Sequence, residues 1–284
     1  MTAKIQYEDI DLYHYTSLAS LFAILQNETI RLTDYRFLND TQELSYATHW
    51  LKALLQPMGD NESIQKLLTA IGNIEKGKVE RLKGIGEDLP YLQWNVYDAN
   101  YYVLSLSQNK DDLAMWRMYA KEGCSIKFNS QRLNEFFHSF RDGNLKNGVT
   151  NLITGPVTYN VGEDMEEVII DWLKPYNKLM VYDNLLRFCL KTKAPAFSFE
   201  HEYRFGIPFE DQYLGAKATK QFTLVGNTIR PQLELKNFPV ADIIEKITIS
   251  PFVTSELTKI GIQELLKSKN MSPDIVEQSN IKIR

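Results

Sequence analysis

Residues 12–17 read LYHYTS and residues 18–25 read LASLFAIL, and this junction restricts the fold more than any other stretch. Leu12, His14 and Thr16 alternate with Tyr13 and Tyr15, the period of two that a short strand requires. Ser17 predicts a helix N-cap, because its hydroxyl can accept a bond from an orphan amide of the first turn. Leu18, Leu21, Phe22 and Leu25 follow at helical spacing and bury one stripe. A strand that carries a histidine and turns at once into a helix sets the imidazole at an element edge, where clefts form.

A chain of 284 residues with 44% hydrophobic and 12% aromatic content can build a sizeable core, which argues against disorder. Its formal net charge of −4 supplies no global basic field for nucleic acid, although a local basic groove stays open. Cys124 and Cys189 are too few for a disulfide framework and read as reduced core residues of a cytosolic protein. The polar start MTAKIQYEDID is not a signal peptide, and no apolar run is long enough to span a bilayer. The expectation is a soluble, cytoplasmic protein with no membrane partner.

Further along, TIRLT (29–33) alternates again, and Asp40 with Glu43 has the spacing of a capping box. Leucines from Leu44 to Leu55 predict one helix and Ile64 to Ile74 another, running from about Ser63 to Leu82. GIGEDLP (84–90) reads as a loop. YYVLSLS (101–107) is the most β-prone segment, with Tyr102, Leu104 and Leu106 on one face and Val103, Ser105 and Ser107 on the other. QNKDDLAMWRMYAKEG predicts a helix capped by Asn109 or Asp111 and stopped at Gly123. CSIKF reads as a strand, Ser130 opens a helix, and a strand follows at Val157–Tyr159. Two helices broken near Pro175 fill 164–191. FSFEHEYRF (197–205), 220–225, 229–235 and 247–249 read as strands, 253–267 as a helix, and DIVEQSNIKIR as a closing strand. The irregular mixture predicts an α+β fold. It is one domain, with a mainly helical insertion at about 43–97 and a second helical segment at about 163–194.

The sharpest chemical pattern is Glu200-His201-Glu202-Tyr203-Arg204. On one strand Glu200, Glu202 and Arg204 share a face, the carboxylates roughly 7 Å apart and each raising the other's pKa. Such a face is either an exposed salt-bridged edge or a cleft wall that stabilises a developing cation. His14 alone reads equally as a half-buried core histidine. Ser105 and Ser107 suit a half-buried strand or a pocket lining, while Trp116 and Tyr119 at helical spacing suit a core. No Gly-rich phosphate loop, HExxH, CxxC or GxSxG occurs, so zinc-hydrolase, redox and α/β-hydrolase readings lack support and no metal is expected.

The series LYHYTSLASLFAILQNETIRLTDYRFLND, VLSLSQNKDDLAMWRMYAKEGCSIKF, FEHEYRF and EQSNIKIR resembles the bacterial family called domain of unknown function 2971, which implies no activity. More distantly, the HYTSLASLFAIL…IRL stretch is similar to the opening of ADP-ribosyltransferase folds, as in DarT toxins, RNA 2′-phosphotransferases and poly-ADP-ribose polymerases. That resemblance implies a split β-sheet core with helical insertions and NAD as substrate. It implies that His14 and Thr16 hold NAD and that Glu202 is the catalytic glutamate, with Glu200 beside it. The Glu-x-Glu pair also resembles that of arginine-modifying toxins, and Ser105-Leu106-Ser107 loosely resembles their Ser-Thr-Ser strand. Tyr15 stands where glycine is common in this pattern. Tyr15, Tyr119 or Trp116 would stack on nicotinamide, and Arg31, more weakly Arg36, would meet the pyrophosphate. Arg204 would stabilise charge beside the carboxylates, and Glu202→Gln would abolish activity with the fold preserved. The acceptor, a protein, RNA, DNA or water (the last making the chain an NAD glycohydrolase), stays open, as does a role in toxicity or phage defence. Two other readings remain: a non-catalytic nucleotide-binding or sensor module, and a nucleic-acid-processing enzyme using His14 with Arg204.

Overall fold

The computed structural model describes residues 9–38, 43–58, 62–76, 79–84, 92–97, 100–144, 152–162, 167, 181–209 and 217–283. The opening junction folds as its pattern demands. Strand β1 spans Leu12–Ser17, and the helix Leu18–Asn27 starts at Ser17, whose Oγ accepts from the Ser20 amide at 3.1 Å. Strand β2, Thr29–Asp34, follows directly. Next come β3 (Val79–Gly84), β4 (Leu92–Tyr97), β5 (Asn100–Ser107), β6 (Gly123–Phe128) and β7 (Ile153–Pro156). The last five are β8 (Glu202–Phe209), β9 (Ala218–Val225), β10 (Thr228–Lys236), β11 (Ile244–Ile249) and β12 (Val276–Gln278).

Ten strands form one mixed sheet in the order β12-β11-β6-β1-β5-β2-β10-β9, with β8 against β5 and β7 against β8. The arrangement around β5 decides where a cleft can form. One edge of β5 pairs with β8 along its whole length, from Asn100↔Phe209 to Ser107↔Glu202. Both β1 and β2 must therefore share the other edge. They attach at opposite ends, β1 through Tyr13↔Ser107 and β2 through Thr33↔Val103 and Asp34↔Tyr102. Between those contacts the sheet forks, β1 leaving with β6 and β11 and β2 leaving with β10 and β9. The edge backbone of Leu104, Ser105 and Leu106 faces the gap.

Alternation along β5 distributes its side chains as its pattern requires. Tyr102, Leu104 and Leu106 enter the main core with Leu12, Ile30, Phe128, Phe205 and Leu233. Tyr101 and Val103, on the other face, bury against a second core built by the helices Glu43–Leu55, Glu62–Glu75 and Val181–Leu190. Ser105 and Ser107 continue that second face beyond the helices' cover, so the strand turns from apolar to polar at the fork.

Gly123 opens β6 opposite Ser17, and a Cβ there would stand 2.0 Å from the Thr16 carbonyl oxygen. Gly123→Ala therefore forces β1 and β6 apart and destabilises the protein by roughly 1–3 kcal/mol, the usual cost of overpacking. Urea unfolding reads this directly, and an unchanged midpoint contradicts it.

Several boundaries differ from those the pattern predicts. The 43–97 insertion contains two helices and then the antiparallel pair β3–β4; the second helix ends at Glu75 rather than near Leu82. Hydrophobic spacing at Ile74, Val79 and Leu82 suits a helix, and VERLKG carries no alternation that marks it as a strand; its pairing with β4 decides its form. The helix after β5 is only Leu113–Tyr119 and is capped by Asp112, whose carboxylate accepts from the Met115 amide at 2.9 Å. Asp111 has a positive φ of 51° and binds outward instead. It accepts from Trp116 Nε1 at 2.8 Å, Ser279 Oγ at 2.6 Å and the Asn280 amide at 2.9 Å. This clamp holds the last residues as an unpaired segment, which limits the closing strand to Val276–Gln278. The strand at 153–156 precedes Val157–Tyr159, which contains only a bridge from Thr158 to Thr192. The Asp40 capping box, the loop over 85–90 and the break near Pro175 lie outside the described residues.

Candidate functional site

The fork opens into a cleft of about 460 Å³. One wall is β1, from Tyr13 to Ser17, with Ser20, Ala23 and Ile24 of the following helix. The facing wall is β2 and the β9–β10 ribbon, which presents Arg31, Thr223, Val225, Arg230 and Gln232. The floor is Val103 to Ser107, and Met118, Tyr119, Lys193, Glu200 and Glu202 close one end.

His14 sits in β1 opposite Ile126, its ring stacked 6.3 Å from that of Phe128. Burial lowers its pKa to about 4, against a weaker opposing hydrogen bond with the Ser105 backbone, so the ring is neutral at pH 7. Its Nδ1 is buried without a hydrogen-bond partner among the described residues. A neutral ring that donates to the Ser105 backbone keeps that nitrogen as an acceptor.

The acidic residues arrive by two routes. FSFEHEYRF alternates like a strand, yet Pro195–Glu200 forms a 3₁₀ turn and His201 adopts φ 41°, so β8 begins only at Glu202. Glu200 and Glu202 are therefore not neighbours on one strand face; Glu202 and Arg204 are. Tertiary hydrogen bonds override the alternation. Ser107 Oγ donates to the Glu200 carbonyl at 2.6 Å, Asn109 Nδ2 to the Phe199 carbonyl at 2.6 Å, and the Gln108 amide to the His201 carbonyl at 2.9 Å.

Lys193 gathers what the turn separates. Its Nζ lies 2.6 Å from Glu200 Oε2 and 3.4 Å from Glu202 Oε2. Arg204 forks onto Glu202, Nε to Oε1 at 2.7 Å and Nη2 to Oε2 at 2.8 Å, while Nη1 donates to the Leu190 carbonyl at 2.6 Å. Tyr119 donates to Glu200 Oε1, and the Glu202 amide donates to Tyr159 Oη at 2.8 Å. Two buried anions thus face two buried cations. Burial raises the Glu202 pKa, but the Arg204 charge and hydrogen bonds, then Lys193 and the Ser105 hydroxyl, outweigh it and hold it at about 2. For Glu200 burial wins over Lys193 and Tyr119 and pushes its pKa up, with the Glu202 charge adding to the rise. Ser105 joins both halves of the cleft, its backbone to His14 and its hydroxyl to Glu202.

Of the residues singled out by sequence, His14, Tyr15, Thr16, Arg31, Ser105, Ser107, Tyr119, Glu200 and Glu202 all line this cleft. Two do not. Trp116 is fully buried, edge-on to Tyr15 at 4.9 Å, so it supports the wall and cannot stack on a ligand. Arg204 is 1% exposed and its head is spent on Glu202 and Leu190, so it cannot join His14 in phosphate chemistry. Three more have restricted roles. Arg31 is paired with Glu234 at 2.8 Å, Arg36 forks onto Asp34, and the Ser107 hydroxyl holds the Glu200 turn. Glu202→Gln also takes the counter-charge from Arg204 inside the core, so its effect on activity is not separate from its effect on stability. Lys193, Tyr159 and Arg230 were not legible as site residues. Lys193 sits in KTKAPAF, whose sequence gives no sign that one lysine is sealed and another is not. Among the described residues, no group of three or more His, Cys, Asp or Glu could hold a metal ion, and no helix is long and apolar enough to cross a membrane.

A model of the family described as "Protein of unknown function (DUF2971)" matches residues 115–205. The family resemblance read from the sequence is borne out over that span, which contains Lys193, Glu200, Glu202 and Arg204 but not His14. No curated protein and no solved structure matches the chain. The ADP-ribosyltransferase resemblance draws no support from these comparisons.

Proposed function

We propose that the chain is an enzyme that breaks the nicotinamide–ribose bond of NAD and passes ADP-ribose to an acceptor or to water. One observation carries the reading: the forked sheet brings His14 and the Glu200/Glu202 pair onto one cleft, with Ser105 touching both. The cleft volume falls in the range of small-ligand sites. When the bond breaks, its electron pair leaves on the nicotinamide nitrogen and the ribose gains oxocarbenium character. Carboxylates fixed beside the ribose favour that positive charge over intact NAD, which is what lowers the barrier. The neutral His14 ring lines the cleft without adding a positive charge that would oppose the oxocarbenium. Arg230, whose side chain has no hydrogen-bond or ion-pair partner among the described residues, supplies a cation for the diphosphate in place of the paired Arg31.

Incubation with NAD labelled in the adenosine half tests the proposal. Nicotinamide release, with label on a macromolecule or as free ADP-ribose, is the expected result; NAD that stays unbound and intact overturns it. Bound but intact NAD favours a binding module instead. That reading has its own observation, since Arg204 and Lys193 already occupy both Glu202 oxygens. Arg230→Ala is expected to weaken NAD binding about tenfold or more, the worth of a charge-assisted contact. Calorimetric titration reads it, and equal affinity contradicts the assignment of Arg230.

A further inference from the structure

Among the described residues Lys193 is the cation that touches both cleft carboxyls, and it does so from inside the wall, with its side chain 4% exposed. Its loop is anchored at both ends. The Thr158 amide donates to the Lys191 carbonyl at 2.7 Å, and the Lys193 amide donates to the Thr158 carbonyl at 3.0 Å. The ammonium also lies 4.7 Å from the centre of the Phe197 ring, on the turn that carries Glu200. That turn belongs to no strand, so the Glu200 side chain has no ladder to fix it.

We infer that Lys193 is a positioning residue for the proposed reaction: it holds the Glu200 carboxyl at the cleft surface while Arg204 holds Glu202 beside it. The role rests on the cleft being the reactive centre. Arg204 grips both oxygens of Glu202, so that carboxylate stays charged whatever Lys193 does. Among the described residues, Glu200 has the Tyr119 hydroxyl and Lys193 at its own oxygens. The groups that act on it are Lys193 from its loop, Tyr119 from the helix Leu113–Tyr119, Glu202 from β8, whose charge Arg204 answers, and Tyr159 from the segment after β7. Without Lys193 the two carboxylates face one cation, and Glu200 is the one that must take up a proton.

Glutamate carboxyl carbons labelled with ¹³C, followed by NMR across pH, test this without relying on turnover. Lys193→Met is expected to raise the Glu200 midpoint by about one pH unit or more and to move Glu202 less. Lys193→Arg, which keeps the charge, is expected to restore it. Lys193→Gln supplies the same comparison if the methionine variant does not fold. Nicotinamide release on the same samples should fall about tenfold at neutral pH in Lys193→Met and recover in Lys193→Arg. A Glu200 midpoint equal in folded Lys193→Met (or Lys193→Gln) and wild type overturns the inference. A shifted midpoint in a protein that releases no nicotinamide leaves Lys193 in place and removes only the reaction.

Discussion

Glu200→Gln is expected to reduce nicotinamide release by about 100-fold or more, the scale of losing one fixed electrostatic contact to a developing charge. The substitution keeps the side chain's size and an oxygen that can accept from Tyr119. Lys193 retains Glu202 as a counter-charge, so the fold is expected to survive, with a melting temperature within a few degrees of wild type. Glu202→Gln is the poorer probe. It removes the carboxylate on which Arg204 forks, so lost activity there would mix chemistry with lost structure. Wild-type turnover in Glu200→Gln would remove that carboxylate from the mechanism.

The largest stability effect is expected from Arg204→Met. Glu202 is 5% exposed and Arg204 is 1% exposed, so truncating the cation leaves a charge in the core with only the more distant Lys193 to answer it. Breaking such a pair costs about 3–5 kcal/mol, far more than the median for a surface ion pair. Denaturant unfolding at neutral pH measures it, and a loss under about 1 kcal/mol would show that the pair is not holding the wall. The pH response adds a sign. In the wild type the Glu202 pKa is depressed from 4.5 to about 2, so its contribution is present above 4.5 and is lost as pH falls toward 2. In the variant the depressing charge is gone, so acidification relieves the defect, and the gap between the two proteins narrows as pH falls.

His14 gives a second window of opposite origin. Its pKa falls from 6.5 to about 4 on folding, so the folded state favours the neutral ring. Stability from this group is fully present above pH 6.5 and declines as pH falls toward 4. Replacing His14 with Gln should flatten the stability profile across that interval, and chemical unfolding at pH 7 and pH 5 is enough to see it. An unchanged slope would place the imidazole in a better-solvated setting than the cleft provides.

Much of the scaffold was legible because local periodicity and tertiary demand agree there. The alternation of LYHYTS, the Ser17 cap and the two faces of YYVLSLS all reflect burial patterns that the sheet then satisfies. The same rule misleads at FSFEHEYRF, where the alternation is equally clean. Ser107 and Asn109, some ninety residues away, hold the backbone in a turn, and no local pattern reports such partners. Trp116 fits a core position by helical spacing, and the core is where it lies. Arg204 looks like a cleft cation from its neighbours alone; its burial depends on β5, β7 and the Leu190 carbonyl. Lys193 was invisible because a lysine's role depends on which carboxylates the fold delivers to it. Composition could bound the cleft's charge but not pair it.

The most direct test is to add NAD to protein labelled with ¹⁵N at histidine and to follow the His14 ring and free nicotinamide by NMR in one tube. The account predicts that the His14 signals move as NAD binds and that nicotinamide accumulates at a rate Glu200→Gln suppresses. His14 signals that stay fixed at saturating NAD, with no nicotinamide formed, would contradict it.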